Sequence, residues 1–186
     1  MIYDCFDEGP AGNLIPRFAI PPEWDRYIGL DFGGVNTVAL FAAEDPDNAN
    51  LYIYRAYKGG NKSAKEHTNN ILYDEPGRAI CYGGAKAEGQ WRREFREAGL
   101  PIRDPKISDV WLGINKTYAC IKQRELFFFD DLDDVKDEIL NYRRKTDENG
   151  EPTDEIFNKN DFHFLDALRY VVPSVKRDRK VKIGFA

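Results

Sequence analysis

The sequence predicts an α/β domain with a mixed central sheet: three antiparallel strands, further parallel strands, and flanking helices. Three strand-like runs come first and are joined by short connections, which is typical of an antiparallel meander. Helical and strand patterns alternate after them, which is typical of parallel strands joined by crossover helices. An amphipathic helix then closes the pattern.

The length and composition agree with one folded domain. The chain has 186 residues, 42% hydrophobic and 32% charged, which is enough for a sizeable core. Its net charge of −5 gives no overall attraction to nucleic acid, so such a contact needs a local basic patch. The cysteines Cys5, Cys81 and Cys120 are scattered, which predicts reduced thiols and no zinc site. No apolar run approaches the roughly 20 residues that cross a bilayer, so we expect no membrane partner.

Composition along the chain predicts three regions. We expect residues 1–24 to be an irregular linker or lead-in, because glycine and proline interrupt any regular period. The domain itself is predicted over 25–175. A tail follows over 176–186, and its first part, 176–182, is strongly basic.

The predicted elements follow in order from these patterns. Strands are predicted over 27–32, 37–43, 51–57, 78–82, 101–103 and 126–129. Helices are predicted from Ser63, then over 86–98, 109–123, 131–144 and 161–172. Ser63 and Glu66 have the spacing of a capping box, and Gly99 suits the position after a helix end. The polar stretch 146–160 is predicted to be a loop.

An aspartate at the end of the first strand is the first candidate functional residue. Asp31 follows an apolar run and precedes Gly33-Gly34, whose lack of side chains leaves space beside the carboxylate. A carboxylate in this place can hold a cation. The alternative is that Asp31 only caps a hairpin turn.

A second aspartate lies on the largely apolar closing helix. Asp166 stands between Leu165 and Ala167, and a buried carboxylate is costly unless it is paired or binds a metal. The alternative is an ordinary ion pair with Arg169, three residues later. If Asp31 and Asp166 converge at the carboxyl end of a strand, their oxygens suit Mg²⁺ or Mn²⁺.

Four segments together carry a more specific resemblance. They are 27–33, 82–88, 91–100 and 162–170, the last ending in Asp-Ala-Leu-Arg-Tyr. These segments resemble the nuclease domain of the large terminase subunit of tailed phages, a member of the RNase H-like superfamily. The similarity extends over about 24–173. It implies an RNase H-like fold and an endonuclease that cuts concatemeric viral DNA during genome packaging, in the cytoplasm of the infected bacterial host.

The resemblance also implies a metal site. In that family, three acids hold two divalent cations, Mg²⁺ or Mn²⁺, and Asp31 and Asp166 match the first and last acids. The second acid usually follows the fourth strand directly, where this chain has Gly83-Gly84. We therefore expect Glu88 to be the second ligand, although a glutamate there can simply complement the helix dipole. The substitutes are Asp104 and Asp109.

Two-metal cleavage is the mechanism that the resemblance implies. Asp31 would bridge both ions, one of which activates water while the other stabilises the leaving 3′ oxygen. His163 lies three residues before Asp166 and can share its helix face. It would orient the nucleophile or the DNA, or else it is a histidine packed in the core.

Basic side chains near these acids are the predicted DNA contacts, because Lys and Arg bind phosphates without reading sequence. The candidates are Lys86, Arg92, Arg93, Arg96, Arg143, Arg144 and Lys145, together with the tail. The alternative is a solvated charged surface. The partners implied by the resemblance are double-stranded DNA, an ATPase domain in the same full-length chain, the portal and the small terminase subunit.

Two other classes of function compete with a nuclease. The segment 31–37 also resembles the first phosphate loop of the actin and sugar-kinase superfamily, but the sequence offers no second such loop. Residues 59–63 resemble a P-loop, except that Asn61 stands where glycine should precede the lysine. A docking module for DNA or the portal, with a degenerate acid cluster, is the non-enzymatic alternative.

Overall fold

The computed structural model describes residues 1–33, 35–75 and 77–175, with the backbone but not the side chain of Lys86. The strands are β1 (Leu14–Ile15), β2 (Asp25–Asp31), β3 (Thr37–Glu44), β4 (Leu51–Gly59), β5 (Ile80–Gly83), β6 (Ile102–Arg103), β7 (Leu126–Phe129), β8 (Arg144–Thr146) and β9 (Pro152–Ile156). The helices are α1 (Ala64–Leu72), α2 (Gly89–Glu97), α3 (Val110–Lys122), α4 (Asp133–Asn141) and α5 (His163–Val171). The predicted basic tail and Gly34 lie outside the described residues.

A mixed sheet forms the centre of the domain. In the described part of the chain it has seven strands, in the order β1-β7-β4-β3-β2-β5-β6. The three strands β2, β3 and β4 pair antiparallel, as the short connections predict. The strands β5, β6 and β7 add in parallel, which agrees with the helices that precede them. The predicted fold class is therefore confirmed.

The two faces of the sheet bury separate hydrophobic clusters. Along β2, Ile28 and Leu30 face the cluster that contains Phe95 of α2. Tyr27 faces the opposite cluster, which contains Leu168 of α5. Because side chains alternate along a strand, Gly29 and Asp31 lie on the α5 side with Tyr27. The strand period thus directs Asp31 toward the closing helix.

Two predicted helix signals are present as expected. Ser63 caps α1, since its hydroxyl accepts from the Glu66 N–H while Glu66 Oε2 accepts from the Ser63 N–H. Gly99 follows the end of α2 with a φ of +100°, in the left-handed region that favours glycine. The predicted helix over 86–98 begins as a 3-10 turn at Lys86–Glu88 and continues as α2.

The segment before β2 contributes to the core. Tyr3 is completely buried against Tyr142, with their ring centroids 5.5 Å apart. The buried Asn13 amide donates to the carbonyls of Ile121 and Leu126, and β1 pairs in parallel with β7. Residues 1–24 therefore lie against the domain, while the boundary at residue 24 stays a prediction.

The prediction of a loop over 146–160 is wrong in part. The strands β8 and β9 pair antiparallel as a separate two-stranded hairpin. Ion pairs of Arg144 with Asp154 and of Lys145 with Glu155 hold them across the exposed surface. Polar composition suggested a loop, but here the polar side chains are complementary across two strands.

Among the helices that the structure describes, none is both long and apolar enough to cross a membrane.

Candidate metal centre

The topology brings several candidate acids to one edge of the sheet. The strands β2, β5 and β6 run parallel, so their carboxyl ends lie side by side. Asp31 ends β2, and Asp104 follows the last residue of β6. The 3-10 turn that carries Glu88 starts three residues after β5 ends. The carboxyl edge of parallel strands is where α/β proteins commonly place binding sites.

A close helix–strand contact brings Asp166 to the same edge. The helix α5 lies directly on β2 at Gly29, where an added Cβ would come within 2.3 Å of the Ala167 carbonyl oxygen. Only a glycine permits this approach of two backbones. Asp166 precedes Ala167, and Asp31 follows Gly29 by two residues on the same face of the strand. The contact therefore draws the two aspartates together.

Asp31 is buried and held by a histidine. With its proton on Nδ1, His163 donates to Asp31 Oδ2 over 2.9 Å. Burial and the nearby charge of Asp166 raise the pKa of Asp31 to about 6, against the opposing effect of His163. The charge of Glu88 raises this pKa further. His163 is thus a partner of Asp31 and not a histidine enclosed by the core.

Asp166 pairs with the arginine that the sequence offered as its alternative partner. Arg169 Nε donates to Asp166 Oδ1 over 2.6 Å, and Arg169 Nη2 donates to the Tyr170 hydroxyl. The Arg169 side chain is 5% exposed and the Asp166 side chain 17%. Among described residues, Asp166 Oδ2 has no such donor. The ion pair fixes Asp166 and leaves this oxygen for another cation.

A cavity of about 740 Å³ joins these acids. Asp31, Asp166, Glu88 and Asp104 all line it. Asp109 does not, since it caps α3 by accepting from the Leu112 N–H over 2.7 Å. Hard divalent cations prefer carboxylate oxygens, so the lining fits Mg²⁺ or Mn²⁺.

The acids do not yet form a complete ligand set. Within the described residues, no group of three His, Cys, Asp or Glu side chains is arranged to hold a metal ion. One reason is that Glu88 Oε2 accepts from the Ala85 N–H over 2.5 Å and so turns back on its own turn. Asp31 and Asp166 bring carboxylate oxygens to one cavity, and the assignment of Asp31, Asp166 and Glu88 as metal ligands stays a prediction.

The structure explains why no acid follows β5 directly. Gly84 has a φ of +75°, and a Cβ there would lie 2.5 Å from the Phe32 ring and 2.9 Å from Arg92 Nη1. The Arg92 guanidinium donates to the carbonyls of Gly83 and Ala85, and it pairs with Asp104 over 3.0 Å. An arginine from α2 therefore occupies the space beside this strand end.

The predicted DNA contacts are distributed unequally. Arg92 is 8% exposed and its guanidinium bonds at the ends of β5 and β6, while its role in binding DNA stays a prediction. Arg93 and Arg96 are exposed on α2. The Lys86 side chain lies outside the described residues.

The basic residues of the hairpin do not reach the acids. Arg143 lies over the Phe157 ring, and Arg144 lies over Trp111 while pairing with Asp154. Lys145 is engaged with Glu155 on the other strand. Arg143, Arg144 and Lys145 do not line the acidic cavity. A role of these side chains in binding DNA stays a prediction.

Two residues near the site have no signal in the sequence. Lys159 is exposed and lines the acidic cavity from the turn before α5. Glu138 of α4 accepts from the Leu165 N–H over 3.2 Å, at the start of α5. Phe162 precedes α5 and supplies no side-chain cap, so Glu138 serves in its place. Lys159 lies in a polar stretch, where a lysine alone does not indicate a binding site. Glu138 caps α5 from 27 residues away, so no local sequence pattern indicates the cap.

The buried carboxyl of Glu138 should make the stability of the protein depend on pH. Burial raises its pKa from 4.5 to about 8, against the opposing effect of hydrogen bonds from the Leu165 and Phe164 N–H groups, and the charge of Asp166 adds to the rise. Between these values the folded state keeps a proton that the unfolded state has lost, so stability falls as pH rises. We expect the free energy of unfolding to drop by about 3 kcal/mol from Glu138 between pH 5 and 8.

Denaturant unfolding of Glu138→Gln across this pH range measures the effect. The variant should lose the corresponding part of the slope, because glutamine does not titrate. Glu97→Gln removes an exposed carboxylate from α2 and should keep the wild-type slope. Parallel slopes for the wild type and Glu138→Gln would show that Glu138 titrates alike in both states.

Comparisons with known proteins give matches at the level of structure. The nuclease domain of the phage P22 large terminase matches with a TM-score of 0.73 and 19% identity, covering 89% of each chain. The large terminase nuclease domain of bacteriophage SPP1, solved with bound Mn, matches with a TM-score of 0.63 and 19% identity, covering 85% of this chain and 94% of that one. No protein-family model and no curated protein matches the sequence.

A longer protein shares the fold over part of its length. The large terminase of a thermophilic bacteriophage, solved in complex with ADP, matches with a TM-score of 0.76 and 22% identity. The match covers 94% of this chain but 44% of the terminase, so the chain spans less than half of that protein. At these identities the matches establish the fold, and they confirm the resemblance to terminase nuclease domains.

Proposed function

We propose that the domain is a metal-dependent endonuclease that cuts double-stranded viral DNA during genome packaging. The observation that carries the proposal is the meeting of Asp31 and Asp166 at one cavity, in a fold shared with terminase nuclease domains. One of those domains was solved with bound Mn. We further propose an ATPase domain in the same full-length chain, since a large terminase solved with ADP is about twice as long. The portal and the small terminase subunit are proposed partners, and the host cytoplasm is the proposed location.

Asp31 and Asp166 would hold the divalent cations, with Glu88 as the third ligand. Mg²⁺ or Mn²⁺ bound there supplies activation of water and stabilisation of the leaving 3′ oxygen. His163 orients Asp31 through its Nδ1–H, and Arg169 fixes the position of Asp166. Lys159 at the cavity edge is placed to meet a phosphate of the bound strand.

The third ligand has a direct test. Glu88→Gln is expected to lower cleavage about a hundredfold, because its carboxylate is close enough to Asp31 to raise that pKa. Asp104→Asn should have a small effect, since Asp104 is 70% exposed and paired with Arg92. Cleavage rates of the two variants on supercoiled plasmid measure the difference. The reverse order would assign the third ligand to Asp104.

A docking module that does not cut DNA is the second candidate. It is favoured by the side chain of Glu88, which bonds to its own turn and leaves the ligand set incomplete among the described residues. Incubating the protein with supercoiled plasmid and Mn²⁺, Mg²⁺ or EDTA separates the candidates. The nuclease predicts a loss of supercoiled DNA that requires metal. DNA binding without cutting at any metal concentration would support the docking module.

A further inference from the structure

A second cavity lies beside the acidic one and has the opposite charge. It measures about 790 Å³ and is lined by Arg78, Arg96 and Arg103. Arg78 precedes β5, Arg96 lies on α2, and Arg103 ends the edge strand β6. All three are exposed, and none forms a salt bridge with an acid among the described residues. Three guanidinium groups without acidic partners at one concave surface are a site for anions.

The two cavities share a wall. Arg92 and Asp104 line both, and the 3.0 Å ion pair between them separates the two spaces. Asp104 is the one acid that lines the second cavity within the described part of the chain, and Arg92 pairs with it. The arginine cavity therefore keeps its positive charge while it adjoins the carboxylates.

From this arrangement we infer that the arginine cavity, lined by Arg78, Arg96 and Arg103, binds backbone phosphates of the DNA whose neighbouring phosphodiester is cut. The inference rests on the proposed function and names the surface on which that substrate lies. Successive phosphates of one strand advance about 3.4 Å along the duplex axis, so a strand bound at the acidic cavity can place its next phosphates across the shared wall. The planar guanidinium of arginine suits phosphate oxygens.

Duplex DNA fits this surface better than an acidic protein partner does. Carboxylates line the acidic cavity, so a phosphate strand that extends beyond its metal ions needs cationic side chains nearby. The arginine cavity supplies those cations directly next to the carboxylates. Binding of an acidic protein would not require the carboxylates of the neighbouring cavity. The experiment below distinguishes DNA from such a protein.

The double variant Arg96→Ala, Arg103→Ala tests the inference. Binding of a short duplex DNA is measured by fluorescence anisotropy between about 50 and 200 mM salt, and plasmid cleavage is measured in Mn²⁺. We expect the affinity to fall at least about tenfold and the slope of log affinity against log salt to decrease by about 2. The KM for cleavage should rise in parallel, with kcat nearly unchanged.

The control removes the same charge elsewhere. Lys65→Ala, Lys116→Ala deletes two exposed lysines that line neither cavity, and both salt slope and KM should stay as in the wild type. Equal affinity and slope for the two double variants would overturn the inference, and would leave an acidic protein as the occupant to consider. If the wild type cleaves while the arginine variant keeps its KM, the inference fails and the proposed nuclease stands. If the wild type does not cleave with any metal, the proposed function fails as well.

Discussion

Replacing Asp31 with asparagine is expected to lower DNA cleavage at least about a thousandfold. Asparagine keeps the size of the side chain but removes the charge that a divalent cation requires. Steady-state cleavage of supercoiled plasmid in Mn²⁺ measures the loss. Asp25→Asn makes the same change at the exposed start of β2 and should retain full activity.

The same substitution should stabilise the protein when no metal is present. Burial and the charge of Asp166 raise the pKa of Asp31 from 3.8 to about 6. Because this pKa is raised on folding, the folded state loses stability as the pH rises from about 4 to above 6. At pH 8 Asp31 is ionised in both states, so the full cost of burying its charge applies. Asp31→Asn removes it, and we expect a gain of about 2 kcal/mol in the free energy of unfolding in EDTA.

We therefore expect Asp31→Asn to lower DNA cleavage and to raise stability. This combination distinguishes a carboxylate that binds metal from one that only supports the fold. An Asp31 that only capped a turn would give a less stable protein with normal cleavage. An inactive but destabilised variant would mean that Asp31 holds the fold through His163, and the loss of cleavage would then carry no information about metal.

Replacing Gly29 with alanine is expected to destabilise the domain by about 3 kcal/mol. The added Cβ would meet the Ala167 carbonyl oxygen at 2.3 Å and Val171 Cγ1 at 2.9 Å. Because the nearest atom belongs to the backbone, α5 must move away from β2 to relieve the clash. That movement also separates Asp166 from Asp31, so cleavage should fall with stability.

Gly89→Ala is the matched control for this prediction. Gly89 begins α2 in a helical conformation, and a Cβ there would meet nothing within 4 Å. Alanine in place of a helical glycine should be neutral or stabilising by about 0.5 kcal/mol. Denaturant titration of both variants measures the difference. Equal stabilities would contradict the close approach of α5 to β2.

Local sequence patterns predict those features of the site that are set within a single strand or helix. The apolar run before Asp31 defines β2, and the two-residue period of that strand directs Asp31 to the side of α5. The spacing of His163 and Asp166 places both on one face of α5. The capping box at Ser63 and the glycine at 99 likewise mark helix ends through contacts only a few residues apart.

The remaining features depend on contacts between distant segments. Arg92 had the spacing of an outer helix residue, yet β5 and β6 accept its guanidinium at their ends. Glu138 caps α5 from another helix, and β8 pairs with β9 through charges that resemble an ordinary polar loop. These contacts depend on how distant segments pack in the tertiary structure, so no local sequence pattern predicts them.

A crystal of this chain soaked in Mn²⁺ shows directly whether the two aspartates share a metal ion. Anomalous scattering locates the ion, and we expect a peak in contact with carboxylate oxygens of both Asp31 and Asp166. A manganese peak bound at neither aspartate, or none at a concentration that saturates cleavage, would contradict a metal centre formed by the end of β2 and the closing helix.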